Sequence, residues 1–316
     1  MKGIKCTLSS VRIAHFSDLH LPFSQFPRLR EIRFKRVLSL LSWKLNRRYI
    51  YQWEPLAAII QDIHQARPDF TAITGDMINF GLFSEFFQAR HWLQKQHLPP
   101  TLLVLGNHEI LIHENHHAKK ALLNSWLRED SKNTRLPTLI DKGIALIGIN
   151  TAVPSLPFLA IGRIEKKQLA LLETCLQETR SAGLCRIVLL HHPPVRHLVR
   201  HRKALIDLEA LQEIFYKNGT ELILHGHSHR ATITTIPRTE IPVIGTTSAS
   251  HIPSSPQKAA GWNCIDIQSF PDSWHITVQR RALTAPHNLQ NDAQPHTFIR
   301  PRPSIQTSFS VNTHHV

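Results

Sequence analysis

The 316-residue chain is 42% hydrophobic and carries 37 Lys and Arg against 23 Asp and Glu, a formal net charge of +14. This length suits one large domain or two small ones, and we expect one domain followed by a tail. The positive charge favours anionic partners such as phosphorylated metabolites, nucleic acid or an acidic lipid surface. The four cysteines are far apart and form no CxxC pair, which argues against a thiolate zinc site and favours a reducing compartment.

No apolar run approaches the roughly 18 residues that a membrane-spanning helix needs. The first residues of the chain also lack the apolar core of a signal peptide. We therefore predict a cytoplasmic protein that could still lie peripherally on the inner membrane.

Six apolar runs with strand character follow one another along the chain, each ending in a polar cluster. They read VRIAHF, DFTAIT, TLLVL, ALIGI, CRIVLL and ELIL, and each of the six clusters contains Asp, Asn or His. Helical apolar spacing separates these strands over residues 54–66, 84–96, 115–128, 165–181 and 208–217. Strands of an open α/β sheet deliver such polar side chains to one rim, where ligands usually bind.

The C-terminal part of the chain has a different composition. After His229 come four β-rich segments, ATITTIP, IPVIGTTS, WNCIDIQ and WHITVQRR. From Thr284 onward, Pro, His, Asn, Gln, Ser and Thr dominate. We predict a main domain over residues 1–283 with an insert at 22–53, and a disordered or loosely attached tail over residues 284–316.

The polar clusters provide carboxylates, an amide and several imidazoles, a donor set without sulfur that suits Mn, Fe, Zn or Co. Residues two apart at a strand end point to the same face. Asp18 and His20 could therefore hold one ion together, and His227 and His229 could likewise converge. Two ions about 3.5 to 4 Å apart would use so many donors, and such a pair clamps the oxygens of a phosphoryl group.

Five ordered motifs resemble those of the calcineurin-like metallophosphoesterases. They are DLH from Asp18, GD ending at Asp76, GNHE from Gly106, HHPP from His191 and GHSH from Gly226. The resemblance covers residues 12–230. It implies an α/β fold, a four-layer αββα sandwich of two mixed β-sheets with flanking helices and a dinuclear metal site at the strand ends.

The resemblance also implies a role for each motif residue. The groups expected to hold one ion are Asp18, His20, Asp76 and His229. Those expected to hold the second ion are Asp76, Asn107, His191 and His227, with Asp76 as the bridge. His108 would face the scissile phosphate and protonate the leaving oxygen or stabilise its charge. The nucleophile would be a water or hydroxide held between the ions.

Two divalent ions are therefore the expected cofactors, with Mn, Zn and Fe as candidates and Mn favoured. Purple acid phosphatases of the same superfamily place a tyrosine three residues after the bridging aspartate. This chain has Asn79 at that position, so an iron–tyrosinate site is not expected.

Several residues near the motifs have two interpretations. His192 either contacts substrate or packs behind the ligand His191. Arg196 and Arg200 follow the HHPP motif and form either a cationic rim that binds phosphate or a solvated charge run. His225, the first histidine of LILHGHSHR, is expected to support the site rather than bind metal.

Residues 28–48 of the insert carry eight Lys or Arg and a single Glu. Their apolar side chains recur at helical spacing and form one face, and these side chains are Phe34, Val37, Leu38, Leu41 and Leu45. In one interpretation this face packs on the core and the basic face is solvated. In the other, the helix binds an anionic lipid surface or acyl chains.

The insert is similar to one in UDP-2,3-diacylglucosamine pyrophosphatases of chlamydia-like lineages. The preferred substrate is therefore UDP-2,3-diacylglucosamine, a lipid-linked nucleotide of the lipid A pathway. Three alternatives stay open: a soluble phosphodiesterase or phosphatase acting on cyclic nucleotides or small phosphoesters, a DNA-processing nuclease, and a non-catalytic scaffold. Nucleic acid is the less favoured partner because little sequence follows the last motif. The scaffold is disfavoured because every expected ligand is present.

Overall fold

The computed structural model describes residues 10–23, 27–252, 255, 258–285 and 288–302. The strands in these ranges, in chain order, are β1 (Ser10–Phe16), β2 (Phe70–Ile73), β3 (Thr101–Leu103), β4 (Thr138–Asp141), β5 (Ile144–Gly148), β6 (Cys185–Leu190), β7 (Leu222–His225), β8 (Thr232–Thr235), β9 (Pro242–Gly245), β10 (Gly261–Ser269), β11 (Ser273–Ala285), β12 (Asn288–Asn291) and β13 (His296–Pro301).

The helices in the same ranges are α1 (Phe34–Ser42), α2 (Arg48–Ile50), α3 (Trp53–Ala66), α4 (Phe83–Gln96), α5 (His117–Ala121), α6 (Asn124–Leu127), α7 (Lys166–Ser181) and α8 (Leu208–Asn218). A π-helical turn, Trp43–Arg47, joins α1 to α2. Within the part of the chain that the structure describes, none of these helices has the length and apolar character needed to cross a membrane.

The described strands form two mixed sheets. The first has the order β12-β11-β10-β1-β2-β3, with β13 also paired to β11, and the second has the order β4-β5-β6-β7-β9-β8. In the first sheet, β1 runs parallel to β2 and antiparallel to β10. In the second, β5, β6, β7 and β9 are parallel neighbours.

Three apolar cores stack these elements into layers. The core between the sheets includes Phe70, Leu189 and Ile265. Ile59 of α3 belongs to the core on the outer face of the first sheet, and Leu211 of α8 to the core on the second sheet. Each such buried side chain contributes roughly 1.5–3 kcal/mol to folding. The predicted four-layer αββα sandwich is therefore confirmed.

The structure corrects the predicted tail over part of its length. Residues 288–291 and 296–301 are strands that pair antiparallel with β11, placing Phe298 opposite Ile276 and His296 opposite Val278. Sheet edges are extended through backbone hydrogen bonds, so a polar composition does not prevent this pairing. Residues 303–316 of the predicted tail lie outside the described residues.

The insert helix α1 is anchored by a buried arginine rather than by its apolar face. Arg36 is 3% exposed, and its guanidinium donates to the carbonyls of Phe80 and Gly81, both at 3.0 Å. It also pairs with Glu114 at 2.6 Å. Phe34 lies on the opposite side of the helix and is exposed. The interpretation in which the apolar face packs on the core is therefore wrong.

Replacing Arg36 by leucine is expected to lower the free energy of unfolding by about 3 kcal/mol, because two buried carbonyls and Glu114 would lose their donor. Urea denaturation measures this change. Arg33→Leu is the matched control, because Arg33 is exposed and bonds only nearby carbonyls of its own segment. A loss for Arg36→Leu no larger than that of the control would contradict the anchoring role.

Candidate metal and phosphate site

The polar ends of strands from both sheets meet at one rim. The seven predicted metal ligands lie within four residues of the ends of β1, β2, β3, β6 and β7, and they are Asp18, His20, Asp76, Asn107, His191, His227 and His229. All are buried except His229, which is partly exposed. The fold thus gathers side chains that lie as much as 211 residues apart in the sequence, from Asp18 to His229.

The backbone of the loops after β1 and β7, and not the two-residue repeat of a strand, brings Asp18 close to His20 and His227 close to His229. β1 ends before Asp18 and β7 ends before His227, and φ is +53° at Asp18, +40° at His20, +64° at His227 and +52° at His229. The predicted mechanism, in which residues two apart share a strand face, is therefore wrong, although both pairs reach the site. Left-handed backbone at such residues is strained and clusters at functional sites.

The first group of donors consists of Asp18, His20, Asp76 and His229, whose candidate ligand atoms all lie within 4.8 Å of one another. The Nδ1 of His20 donates to the carbonyl of Ile78 at 3.3 Å, so its Nε2 carries a lone pair. That Nε2 lies 3.4 Å from the Nε2 of His229. The same His229 nitrogen lies 3.1 Å from Oδ1 of Asp18.

The second group consists of Asp76, His191 and His227, again with candidate ligand atoms within 4.8 Å. His191 donates through Nδ1 to the Thr74 carbonyl at 2.7 Å. His227 donates through Nε2 to the Lys203 carbonyl at 3.1 Å. The remaining nitrogens, Nε2 of His191 and Nδ1 of His227, face each other at 3.1 Å. The amide oxygen of Asn107 lies 3.3 Å from Nε2 of His191.

These residues fit two divalent cations. Facing lone pairs of His191 and His227 repel unless a cation or a proton lies between them, and buried carboxylates need a countercharge. Burial lowers the pKa of His191, but the charge and hydrogen bond of Asp76, together with Asp18 and the Thr74 carbonyl, outweigh burial and raise this pKa to about 9. Carbonyls that fix the outer nitrogen of a ligating histidine are the usual support of a metal site. Asp76 is the residue shared by both groups.

Two motif glycines allow the carboxylates to sit against the backbone. A Cβ at Gly226 would lie 2.1 Å from Oγ of Ser17 and 2.7 Å from Oδ2 of Asp18. A Cβ at Gly106 would lie 2.3 Å from Oδ1 of Asp76. Any larger residue would therefore displace a candidate ligand.

Glu109, the last residue of GNHE, organises the Asp76 loop, a role that the sequence does not reveal. Its buried carboxylate accepts the backbone N–H of Gly106 at 2.6 Å, of Met77 at 2.7 Å, and of Asp76 and Ile78 at 3.1 Å each. In the sequence, only the position of Glu109 next to His108 in the motif points to this role. A single side chain thus joins the loops that follow β2 and β3.

His108 faces the same site but belongs to neither donor group. Its Nδ1 donates to the carbonyl of Asn79 at 2.6 Å, and its Nε2 accepts from the Arg47 guanidinium at 3.1 Å. Burial, with Arg47 assisting, lowers the pKa of His108 to about 4 despite the nearby Asp76 carboxylate. The neutral ring therefore points a lone pair at a cation from the insert.

The insert contributes two side chains to the site that sequence patterns do not single out. Arg47 lies in the π-helical turn after α1, a geometry frequent at functional sites. The Tyr51 hydroxyl lies 3.3 Å from Nδ1 of His229, and its ring centroid is 4.5 Å from that of His20. The insert thus forms one wall of the site. The sequence indicates this role only through the basic composition of the insert.

A cavity of about 670 Å³ opens over these groups. Its cationic lining residues are Lys35, Arg47, Arg202, Lys203, Arg230 and Lys258. Its aliphatic and aromatic lining includes Leu38, Leu111, Phe158 and Leu159. The cavity therefore suits an anion that also carries an apolar or aromatic body.

A model of the calcineurin-like phosphoesterase family matches residues 11–231. The chain belongs to this family. It is a dimetal phosphoesterase, a metal-dependent hydrolase of phosphoester bonds. The family depends on dinuclear divalent metal centres, and the structure contains a candidate centre of that kind.

Other proteins are similar to this phosphoesterase in sequence or in fold. A protein of Synechococcus sp. named "Probable cyclic nucleotide phosphodiesterase" is 27% identical over 70% of this chain and 80% of its own length. A dimetal phosphatase from Danio rerio shares the fold at 12% identity with a TM-score of 0.59, over 91% of this chain and 98% of its own. A purple acid phosphatase from yellow lupin is 13% identical with a TM-score of 0.61, over 92% of this chain and 53% of its own.

Three residues predicted to bind substrate do not line the cavity of the phosphoesterase. His192 is fully buried, with Nδ1 2.8 Å from Oγ1 of Thr151 and Nε2 3.3 Å from the Ala160 carbonyl. Both ring nitrogens thus have protein partners, which places His192 behind the site and not in the cavity. Arg196 and Arg200 line a neighbouring groove of about 900 Å³, so any substrate contact there stays a prediction.

Two further side chains of the phosphoesterase lie behind the site. His225 is buried and donates from Nδ1 to the carbonyl of Gly226 at 2.9 Å, with Nε2 3.3 Å from Oγ1 of Thr232. It is outside both donor groups, as expected. Asn79 is also buried, and its amide donates to the carbonyl of Leu21 at 2.9 Å.

Proposed function

We propose that this phosphoesterase hydrolyses small phosphodiesters, with cyclic nucleotides as the first candidate, using two divalent ions. The seven predicted ligands would hold the ions, and Mn is the favoured metal. The observation that carries this proposal is the pair of donor groups sharing Asp76 on the floor of a cationic cavity. The name of the Synechococcus relative supports the choice of substrate.

Bound divalent ions would supply a water of lowered pKa and would neutralise phosphoryl oxygens. Asp76 would serve as a ligand to both ions, because it belongs to both donor groups. Arg47 would bind a non-bridging phosphoryl oxygen through its N–H groups, which suit phosphate geometry. His108, next to Arg47, would face the ester oxygen. A proton taken up at its Nε2, in place of the hydrogen bond from Arg47, would let the ring stabilise or protonate that oxygen as the bond breaks.

Replacing Arg47 by methionine is expected to lower kcat/KM for a phosphodiester by about ten- to a hundredfold. A hydrogen bond to a charged group contributes about 1.5–3 kcal/mol. Arg47→Lys should recover part of the loss, because it restores the charge without the planar fork. Steady-state kinetics with bis-p-nitrophenyl phosphate measure the effect, and Arg33→Met is the control. Equal kcat/KM for Arg47→Met and the control would remove Arg47 from the site.

A second candidate is a lipid-linked nucleotide, which the apolar lining of the same cavity favours. UDP-2,3-diacylglucosamine, the substrate preferred from the sequence, gains no support from the similar proteins described above. Parallel assays of 3′,5′-cyclic AMP hydrolysis and of UMP release from UDP-2,3-diacylglucosamine separate the two candidates. Turnover of the cyclic nucleotide alone supports the proposal, and UMP release alone overturns it in favour of the second candidate. No turnover by the metal-loaded protein would indicate a scaffold.

A further inference from the structure

Helix α1 and the π-helical turn present three faces, because successive helical residues are about 100° apart. Arg36, Leu40 and Trp43 form the inner face, where Leu40 and Trp43 pack on a small apolar cluster around Phe80. A second face lines the cavity and consists of Lys35, Leu38, Ser39 and Ser42. The outer face, as we define it, consists of Phe34, Val37, Leu41 and Leu45.

The outer face is apolar and exposed. Phe34 is 65% exposed, Leu41 50% and Leu45 79%, and Leu29, which precedes the helix, is 89% exposed. Amphipathic helices of globular domains ordinarily turn such a stripe to the core. A contiguous exposed apolar surface marks an interaction site. The buried Arg36 accounts for this orientation, because it fixes the polar side of the helix inward.

Cations surround the outer face. Residues 28–48 contain Arg28, Arg30, Arg33, Lys44 and Arg48 in exposed positions, and the single acid is Glu31. A second copy of the chain would bring two such cationic surfaces together, which opposes self-association. A surface of anionic phospholipid matches both the apolar stripe and the charge, since each nearby Lys or Arg adds about 1 kcal/mol of attraction.

The cavity opens beside the outer face. Lys35 donates through Nζ to the carbonyl and the hydroxyl of Ser155, at 2.9 and 2.7 Å, which holds the following loop against α1. Phe158 of that loop is 70% exposed and also lines the cavity. A membrane that touches the outer face would therefore lie next to the cavity mouth.

We propose that the outer face of the insert docks this protein on an anionic phospholipid membrane surface. Its apolar side chains enter the boundary between headgroups and acyl chains while the flanking cations contact headgroup phosphates. This docking concerns binding alone, so it stands or falls independently of which phosphoester is hydrolysed.

The test is sedimentation of the full chain with vesicles of phosphatidylcholine, with and without about 30% phosphatidylglycerol. The unaltered protein should bind the phosphatidylglycerol vesicles, and high salt should weaken binding by screening the cations. The double variant Leu41→Glu/Leu45→Glu should bind at least about tenfold more weakly. The matched control is Ile140→Glu/Ile299→Glu, which adds the same charge at exposed isoleucines outside the insert and should retain most binding.

Three results would overturn docking through the outer face. They are no binding by the unaltered protein, unimpaired binding by Leu41→Glu/Leu45→Glu, and equal losses in both double variants, which would indicate net charge alone. A dimer that Leu41→Glu/Leu45→Glu dissociates, without vesicle binding, would assign the face to a second copy. Phe34→Gln repeats the test without an added charge, and unchanged turnover of bis-p-nitrophenyl phosphate shows that each variant is folded.

Discussion

Replacing Asp76 by alanine is expected to lower phosphodiester turnover by roughly 10⁴-fold or more, equivalent to about 5.5 kcal/mol of transition-state stabilisation. Asp76 is the residue common to both donor groups, so its loss separates the two candidate metal sites. Its Oδ1 also accepts the backbone N–H of His108 at 2.8 Å. One substitution would thus remove the proposed shared ligand and the support of the residue proposed to face the phosphate.

The measurement for Asp76→Ala is turnover of bis-p-nitrophenyl phosphate at saturating Mn²⁺, together with metal content. Asp272→Ala is the control, because this carboxylate is exposed at the start of β11 and bonds only its neighbour Ser273. If Asp76→Ala kept more than about a tenth of the turnover of the control, a shared bridging carboxylate would not be essential.

Replacing His108 by alanine is expected to lower kcat by roughly 10²- to 10⁴-fold, the range for a positioned acid or base. Metal content should stay unchanged, because His108 lies outside both donor groups. Metal analysis beside steady-state kinetics measures the two effects on one preparation. Loss of metal in parallel with activity would instead make His108 a ligand or a structural support.

His108→Gln separates the two proposed roles of this side chain. Glutamine can donate a hydrogen bond to a developing negative charge but cannot transfer a proton at neutral pH. Partial recovery over alanine would indicate electrostatic stabilisation, whereas equal activities of the two variants would indicate proton transfer. Wild-type turnover in His108→Ala would contradict both roles.

The layers of the fold and the residues of the candidate centre can be predicted from the sequence because their signals are local. Polar residues directly after apolar runs identify the ends of strands such as β1 and β7. Amphipathic spacing places α3 within one residue of its observed start and α8 within one residue of its end. Strand ends meet at one rim of an α/β sheet, so five short motifs suffice to assemble the donors.

The contribution of the insert cannot be predicted in this way, because it depends on how α1 docks. Amphipathicity shows that the helix has an apolar face but not where that face points. The direction is set by Arg36, which finds buried carbonyls at Phe80 and Gly81. That docking carries Arg47 to His108, a contact between residues 61 apart in the sequence.

Backbone effects account for the other differences from the sequence predictions. The strands β12 and β13 form from polar sequence because β11 offers an edge of free backbone groups along 13 residues. At the DLH motif, the left-handed backbone at Asp18 and His20 is held by N–H bonds to the carbonyls of Gly75 at 2.9 Å and Asp76 at 3.0 Å. Tertiary hydrogen bonds of this kind leave no periodic trace in a sequence.

Two-metal hydrolysis is tested most directly by titrating the chelator-stripped full chain with Mn²⁺ while bound ions and turnover of bis-p-nitrophenyl phosphate are measured together. We predict no turnover without metal and a return of activity that follows the binding of two ions per chain. Undiminished turnover by the metal-free protein, or full activity with a single bound ion, would contradict a dinuclear centre built on Asp76.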